Sequence, residues 1–177
     1  MRKMVEWRRH RLLELTDSVY RYATEKQQTG NGASTRGGLG SVPLVTWDET
    51  YSVHVDTLDR QHQKLFDLIN ELHSAMASGR GREVVGEVLA GLVEYTRVHF
   101  TTEGNYMLKY GYPGYNDHKV QHDYFISKLD NFRQDFTQGK LNVSIKLLIF
   151  LSDWLVSHIK GSDKAYSRYF QEKGLHV

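Results

Sequence analysis

At 177 residues, with 40% hydrophobic and 25% charged side chains, the chain is long enough for one domain with a true core and an appendage besides. A formal charge of +2 gives no argument for a nucleic-acid partner, and none is expected. The absence of cysteine excludes disulfides, iron–sulfur clusters and thiolate zinc sites.

No apolar run approaches the roughly 20 residues that cross a bilayer. The basic start "MRKMVEWRRH" lacks the apolar stretch of a secretion signal, so a cytoplasmic protein without membrane insertion is expected. Residues 1–28 read as a basic amphipathic helix: Val5, Leu12, Leu15, Val19 and Tyr22 recur at three- and four-residue steps with arginines between them. Such a segment is either a solvated surface helix or a means of self-association, of docking to a partner or of binding an anionic surface. Residues 29–41, "TGNGASTRGGLGS", form a glycine- and serine-rich linker. The main domain is then 42–177.

It opens with "VPLVTWDETYSVHVDTL", too short and broken for a long helix, and expected to be an extended arm. Four helices follow. The first, about 58–78, carries Leu58, His62, Leu65, Phe66, Ile69 and Leu72 at helical spacing and ends at Gly79 and Gly81. The second, about 82–109, is stopped by "YGYPGYND". The third spans about 115–137 and the fourth about 141–171. Short connections force neighbours antiparallel. The fold class is therefore all-α, an up-down-up-down four-helix bundle with an N-terminal arm and an extra N-terminal helix.

Each helix aims polar groups along its apolar stripe. The first offers His62; the second His99 and Glu103; the third His118 and His122; the fourth His158 and Asp163. A four-residue step puts two side chains on one face, about one turn apart. Singly, each is an ordinary hydrogen-bonded or surface residue. Together, five histidines and two carboxylates cannot all be hydrogen-bonded cheaply in one apolar core. A positive centre resolves this, because it takes neutral imidazoles and ionised carboxylates at once.

Seven ligands are too many for one tetrahedral ion. Two six-coordinate ions offer about twelve positions. Two bridging carboxylates fill four, five histidines five, and a bridging oxide or hydroxide two, which leaves one open. That arrangement suits two redox-active irons and has no use for zinc. His73 shares a face with His62 but lies about 16 Å further along the axis. His54 sits in the arm, and His10 and His176 lie in terminal segments; none is expected to bind. His158 and Asp163 are five residues apart and would diverge by about 140° on a regular helix. A local loosening near Gly161, such as a π-type turn, is expected to bring both inward.

The ordered series "LDRQH", "HFTTE", "HKVQH" and "HIKGSD", with "VTWDETYSV" before it and "GYPGYNDH" within it, resembles the hemerythrins, and among them the bacterial hemerythrin-like (bacteriohemerythrin) domains. The resemblance covers roughly residues 44–171. It implies that His118, His122 and His158 hold one coordinatively full iron, that His62 and His99 hold the other, and that Glu103 and Asp163 bridge the two. It also implies reversible binding of dioxygen at the vacant place, with reduction to the peroxide level as both irons are oxidised and a proton supplied by the bridging hydroxide. The chain departs from the family at Gly104, where many relatives have a second glutamate. That position is not a ligand, and a glycine there costs at most about 1 kcal/mol of helix stability.

A carrier must keep bound oxygen from water and protons. Leu65, Phe100, Leu155 and Val156 adjoin the ligands and are expected to wall a dry pocket, with Trp47 and Trp154 as structural cover. The leading functional expectation is a non-haem di-iron protein that binds dioxygen for storage, delivery or sensing. The alternatives are a di-iron enzyme turning over peroxide or nitric oxide, and a redox or oxygen signalling module acting through the N-terminal segment. Ferritin-like oxidative sites use a Glu-x-x-His motif, and no histidine here has a glutamate three places before it. An oxygen-binding protein is therefore expected rather than an enzyme.

Overall fold

The computed structural model describes residues 42–174. The expected helix over 1–28, the linker over 29–41, His10 and His176 lie outside the described residues. An arm runs to Val55, with one 3-10 turn at Glu49–Tyr51, and leads into α1 (Asp56–Ala77), α2 (Gly81–Lys109), α3 (Tyr115–Thr137) and α4 (Val143–His158). A π-helical segment, Ile159–Asp163, joins α4 to α5 (Lys164–Glu172) without a break. The four-helix bundle is as expected. Among the described residues there is no strand, and no helix is long and apolar enough to cross a membrane.

The turns are set by local chemistry. After α1, Gly79 takes φ +75°, its N–H bonds to Met76 O at 3.0 Å, and Arg80 N bonds to Ala75 O at 2.8 Å. Gly111 closes α2 in the same way, at φ +67°, with Tyr112 N on Met107 O at 2.8 Å. This paired closure satisfies the last carbonyls of a helix and needs a left-handed residue, which glycine adopts without strain. The fourth helix begins two residues later than expected, because Asn142 is itself left-handed, at φ +62°. The arm is not simply extended: Asp48 caps its 3-10 turn, accepting from Thr50 N at 2.7 Å.

The arm is strapped to the bundle by specific bonds. Asn70 exchanges two with Val45, at 3.1 and 2.8 Å. Asp59, in the first turn of α1, accepts from Ser52 Oγ at 2.6 Å and Val53 N at 2.7 Å. Lys164 donates to Ser52 O, and Ser167 Oγ donates to Val53 O at 2.8 Å.

Among the described residues, buried apolar side chains form two clusters. The larger includes Leu65, Ile69, Leu92, Phe125, Leu151 and Leu155; the smaller includes Val53, Val55, Leu58, Met107, Tyr166 and Phe170. Each fully buried Leu, Ile or Phe contributes roughly 1.5–3 kcal/mol by leaving water. Along α1, α2 and α4–α5 the chain passes from one cluster to the other, and the intervening turn is polar on each. On α1, for example, His62 lies between Leu58 and Leu65. The bundle therefore holds a polar layer between two apolar plugs.

Candidate metal centre

All seven sequence-predicted polar residues lie in that layer. Glu103, Asp163 and His62 are fully buried, and His99, His118, His122 and His158 nearly so. Other buried hydroxyls nearby are satisfied by the turn before them: Thr96 bonds to Leu92 O at 2.6 Å and Ser152 to Leu148 O at 2.9 Å. The layer is not satisfied in this way. Among the described residues, both ring nitrogens of His62, Oε1 of Glu103 and both oxygens of Asp163 have no hydrogen-bond partner. Unpaired buried polar atoms cost about 1–3 kcal/mol each, so such a cluster needs a compensating charge.

The spacings match an ion of octahedral type. His118 Nε2 lies 3.0 Å from His122 Nε2, and His122 Nε2 lies 2.9 Å from His158 Nε2. Glu103 Oε2 is 3.1 Å from both His118 and His122, and Asp163 Oδ1 is 3.1 Å from His158. Neighbouring ligands bound at about 2.1 Å sit about 3.0 Å apart in an octahedron and about 3.4 Å apart in a tetrahedron. His118, His122, His158 and Glu103 thus group about one position, and Asp163 Oδ1 adjoins it, 3.1 Å from His158 and 3.5 Å from His118. His62, His99 and Glu103 bring donor atoms within 4.8 Å of one another and define a second position. Asp163 Oδ2 adjoins it, 3.3 Å from His62 Nε2. Glu103 belongs to both groups, and Asp163 turns Oδ1 toward His158 and Oδ2 toward His62.

Asp163 reaches the layer because of the π-helical segment. Its wider turn restores His158 and Asp163, five residues apart, to one face, as the sequence requires. A Cβ on Gly161 would meet nothing within 4 Å, so the widening is not forced by close packing at that glycine. It is held instead at its edges, by Ser162 Oγ on Gln121 Oε1 at 2.6 Å and by the Lys164 bond to the arm.

Electrostatics prepare the groups for a cation. Burial, reinforced by the neighbouring His62, pushes His99 down to about 3, and burial pushes His158 down to about 4, so both imidazoles are neutral at physiological pH. Burial raises the Glu103 carboxyl, but hydrogen bonds from His118 and His122 outweigh it and hold the group well below the usual range. Asp163 is also lowered: burial and the charge of Glu103 oppose ionisation, and His158 and His62 overcome them. Burial lowers His118, yet its bond to Glu103 and the two carboxylate charges raise it on balance; an ion would replace that proton.

Sequence reasoning missed the groups that orient the rings. His99 Nδ1 faces Gln61 Oε1 at 3.0 Å, and His158 Nδ1 faces Gln121 Oε1 at 3.1 Å. An amide oxygen only accepts, so each Nδ1 carries the proton and each Nε2 lone pair points inward. The available signal was the repeated dipeptide Gln-His at 61–62 and 121–122. Aromatic rings lie flat over two imidazoles, Phe100 on His122 (3.7 Å, 9°) and Trp154 on His158 (4.2 Å, 16°), and Trp47 stands alongside His62 (6.3 Å, 29°). Both tryptophans thus pack beside histidines of the layer. Tyr166 was also missed; burial, the charges of Glu103 and Asp163 and a hydrogen bond to Glu103 keep its buried hydroxyl protonated.

Leu65, Leu155 and Val156 are buried in the larger apolar cluster beside the layer, while Phe100 is half-buried and faces a surface groove as well as His122. His54 is exposed, with φ +58°, and His73 lies away from the layer.

Fold and layer together define a four-helix bundle whose polar layer holds two adjoining groups of buried donors able to take a cation. Residues 53–170 match the hemerythrin HHE cation-binding domain model, and the chain belongs to that family. It is 37% identical to a bacteriohemerythrin of Stenotrophomonas maltophilia over 70% of this chain and 80% of that protein. It is 35% identical to one of Methylococcus capsulatus, covering 94% of that protein. A crystal structure of wild-type hemerythrin superposes with a TM-score of 0.66 at 32% identity, covering 76% of this chain and 99% of that one. The buried His/Glu cluster is able to hold metal, and the family's centre is di-iron.

Proposed function

We propose that His118, His122 and His158 hold one iron and His62 and His99 the other, with Glu103 and Asp163 bridging, in a non-haem di-iron protein that binds dioxygen reversibly and is not an enzyme. The observation that supports the ligand assignment is the grouping of inward-facing donors, His118, His122, His158 and Glu103 about one position and His62, His99 and Glu103 about the other, with Asp163 adjoining both. Two irons there would supply the two electrons that reversible dioxygen binding requires. The chain's own residues do the rest. Gln61 and Gln121 keep Nε2 directed inward, and Leu65, Leu155 and Val156 exclude water from the open side. Tyr166 holds a proton next to the bridging carboxylates.

The domain division belongs to the same reading: an oxygen-binding bundle over 42–177, with 29–41 as linker and 1–28 as a segment for self-association or a partner. Its basic amphipathic pattern supports that role. A cytoplasmic location accords with the cysteine-free composition. The test is direct. Purified, reduced protein should contain two irons per chain and develop a visible ligand-to-metal band in air that disappears when oxygen is removed. A band that decays at once while peroxide is consumed catalytically would favour an enzyme. Removal of residues 1–41 should leave oxygen binding unchanged; a large change would refute the division.

A further inference from the structure

We infer that the groove between α2 and α3 is a docking site for a small planar aromatic anion that donates electrons to the centre. The inference rests on the di-iron reading above. The groove has a volume of about 430 Å³, within the range that takes a small organic ligand. Phe100 and Tyr115 line it, and both are half-buried aromatic rings of the kind on which a flat molecule stacks. Gly104 lies between them in the lining. A Cβ there would stand 3.4 Å from the Tyr115 ring, so any longer side chain would occupy the groove.

Arg97 and Lys119 border the opening. Lys119 is shared with Asp123 at 2.6 Å on the exposed surface, whereas Arg97 has no carboxylate partner among the described residues. Two cations against one carboxylate favour an anion. His122 also lines the groove, and it is the most exposed of the five histidines at 5%. Its ring lies flat on Phe100 and its Nε2 faces the metal layer. One imidazole therefore separates an occupant from the three-histidine position.

A centre that has given up its electrons needs two back per chain. One dihydroflavin supplies them: one electron reduces each ferric ion to ferrous, two protons leave to water, and the flavin departs oxidised with no bond formed to the protein. Flavin mononucleotide is thus a suitable probe, and riboflavin is the same ring without the phosphate.

The experiment titrates either flavin with iron-loaded, oxidised full-length protein and follows flavin fluorescence. Flavin mononucleotide should bind roughly fivefold tighter than riboflavin, and Arg97→Ala should erase that difference. Gly104→Glu should abolish binding of both while iron content and the visible spectrum stay as in the parent. Should that variant not fold, Tyr115→Ala should weaken both flavins roughly fivefold. Anaerobic reduction by dihydroflavin mononucleotide should saturate with concentration in the parent only. Equal affinity for the two flavins, or binding indifferent to both Gly104→Glu and Tyr115→Ala, overturns the proposal. Two irons per chain without flavin binding overturns the groove alone; a folded chain that takes up no iron overturns the reading beneath it.

Discussion

Removing the metal should cost this bundle much of its stability. Among the described residues, five buried atoms in the polar layer have no hydrogen-bond partner: Nδ1 and Nε2 of His62, Oε1 of Glu103, and Oδ1 and Oδ2 of Asp163. In an iron-free chain a proton between His62 Nε2 and Asp163 Oδ2, which stand 3.3 Å apart, relieves two of them. Three remain, and at about 1–3 kcal/mol each the deficit is roughly 3–9 kcal/mol. A domain has only about 5–15 kcal/mol to lose. For a bundle of this size 1 kcal/mol moves the melting temperature by about 4 °C, so chelation should lower it by at least about 10 °C. Calorimetry of iron-loaded and chelated protein, with far-ultraviolet circular dichroism to follow helix content, measures this. A shift below about 4 °C, the equivalent of a single kcal/mol, would mean that the layer satisfies itself without an ion and that the orphan-atom argument is wrong.

Acid should weaken the iron-free chain earlier than carboxylate titration alone would. With His99 held at about 3 and His158 at about 4, the unfolded chain takes up protons below about pH 6.5 that the folded chain refuses. Their stabilisation is present above pH 6.5 and is lost as pH falls toward 4, at roughly 3 kcal/mol per pH unit for the pair. His118, whose pKa is raised, is charged in both states over that window and adds no slope. Urea midpoints at successive pH values test this, and a flat or rising profile on acidification would contradict it. Gln121→Leu removes the acceptor for His158 Nδ1 and Ser162 Oγ and should weaken iron retention about 10–100-fold in a chelator competition, with helix content kept. Leu155→Ala should cost about 2–5 kcal/mol and speed autoxidation of the oxygenated form. Autoxidation at the parental rate would place Leu155 outside the pocket wall.

The helices, their order and the seven polar residues were legible in the sequence because each rests on local periodicity. His118 and His122 share a face by spacing alone, and a four-residue step says so wherever it occurs. Even the π-helical segment was legible, since His158 and Asp163 are five residues apart and no regular helix brings both inward. Tertiary structure decided what depends on contacts between distant residues. Gln61 meets His99 across 38 residues and Gln121 meets His158 across 37, and only these contacts fix which nitrogen of each ring is free. The ring of Phe100 flat on His122, the place of Glu103 in both donor groups, and the groove left by Gly104 between two helices are likewise invisible to spacing. Periodicity tells which way a side chain faces; what it meets there is set by how the helices pack.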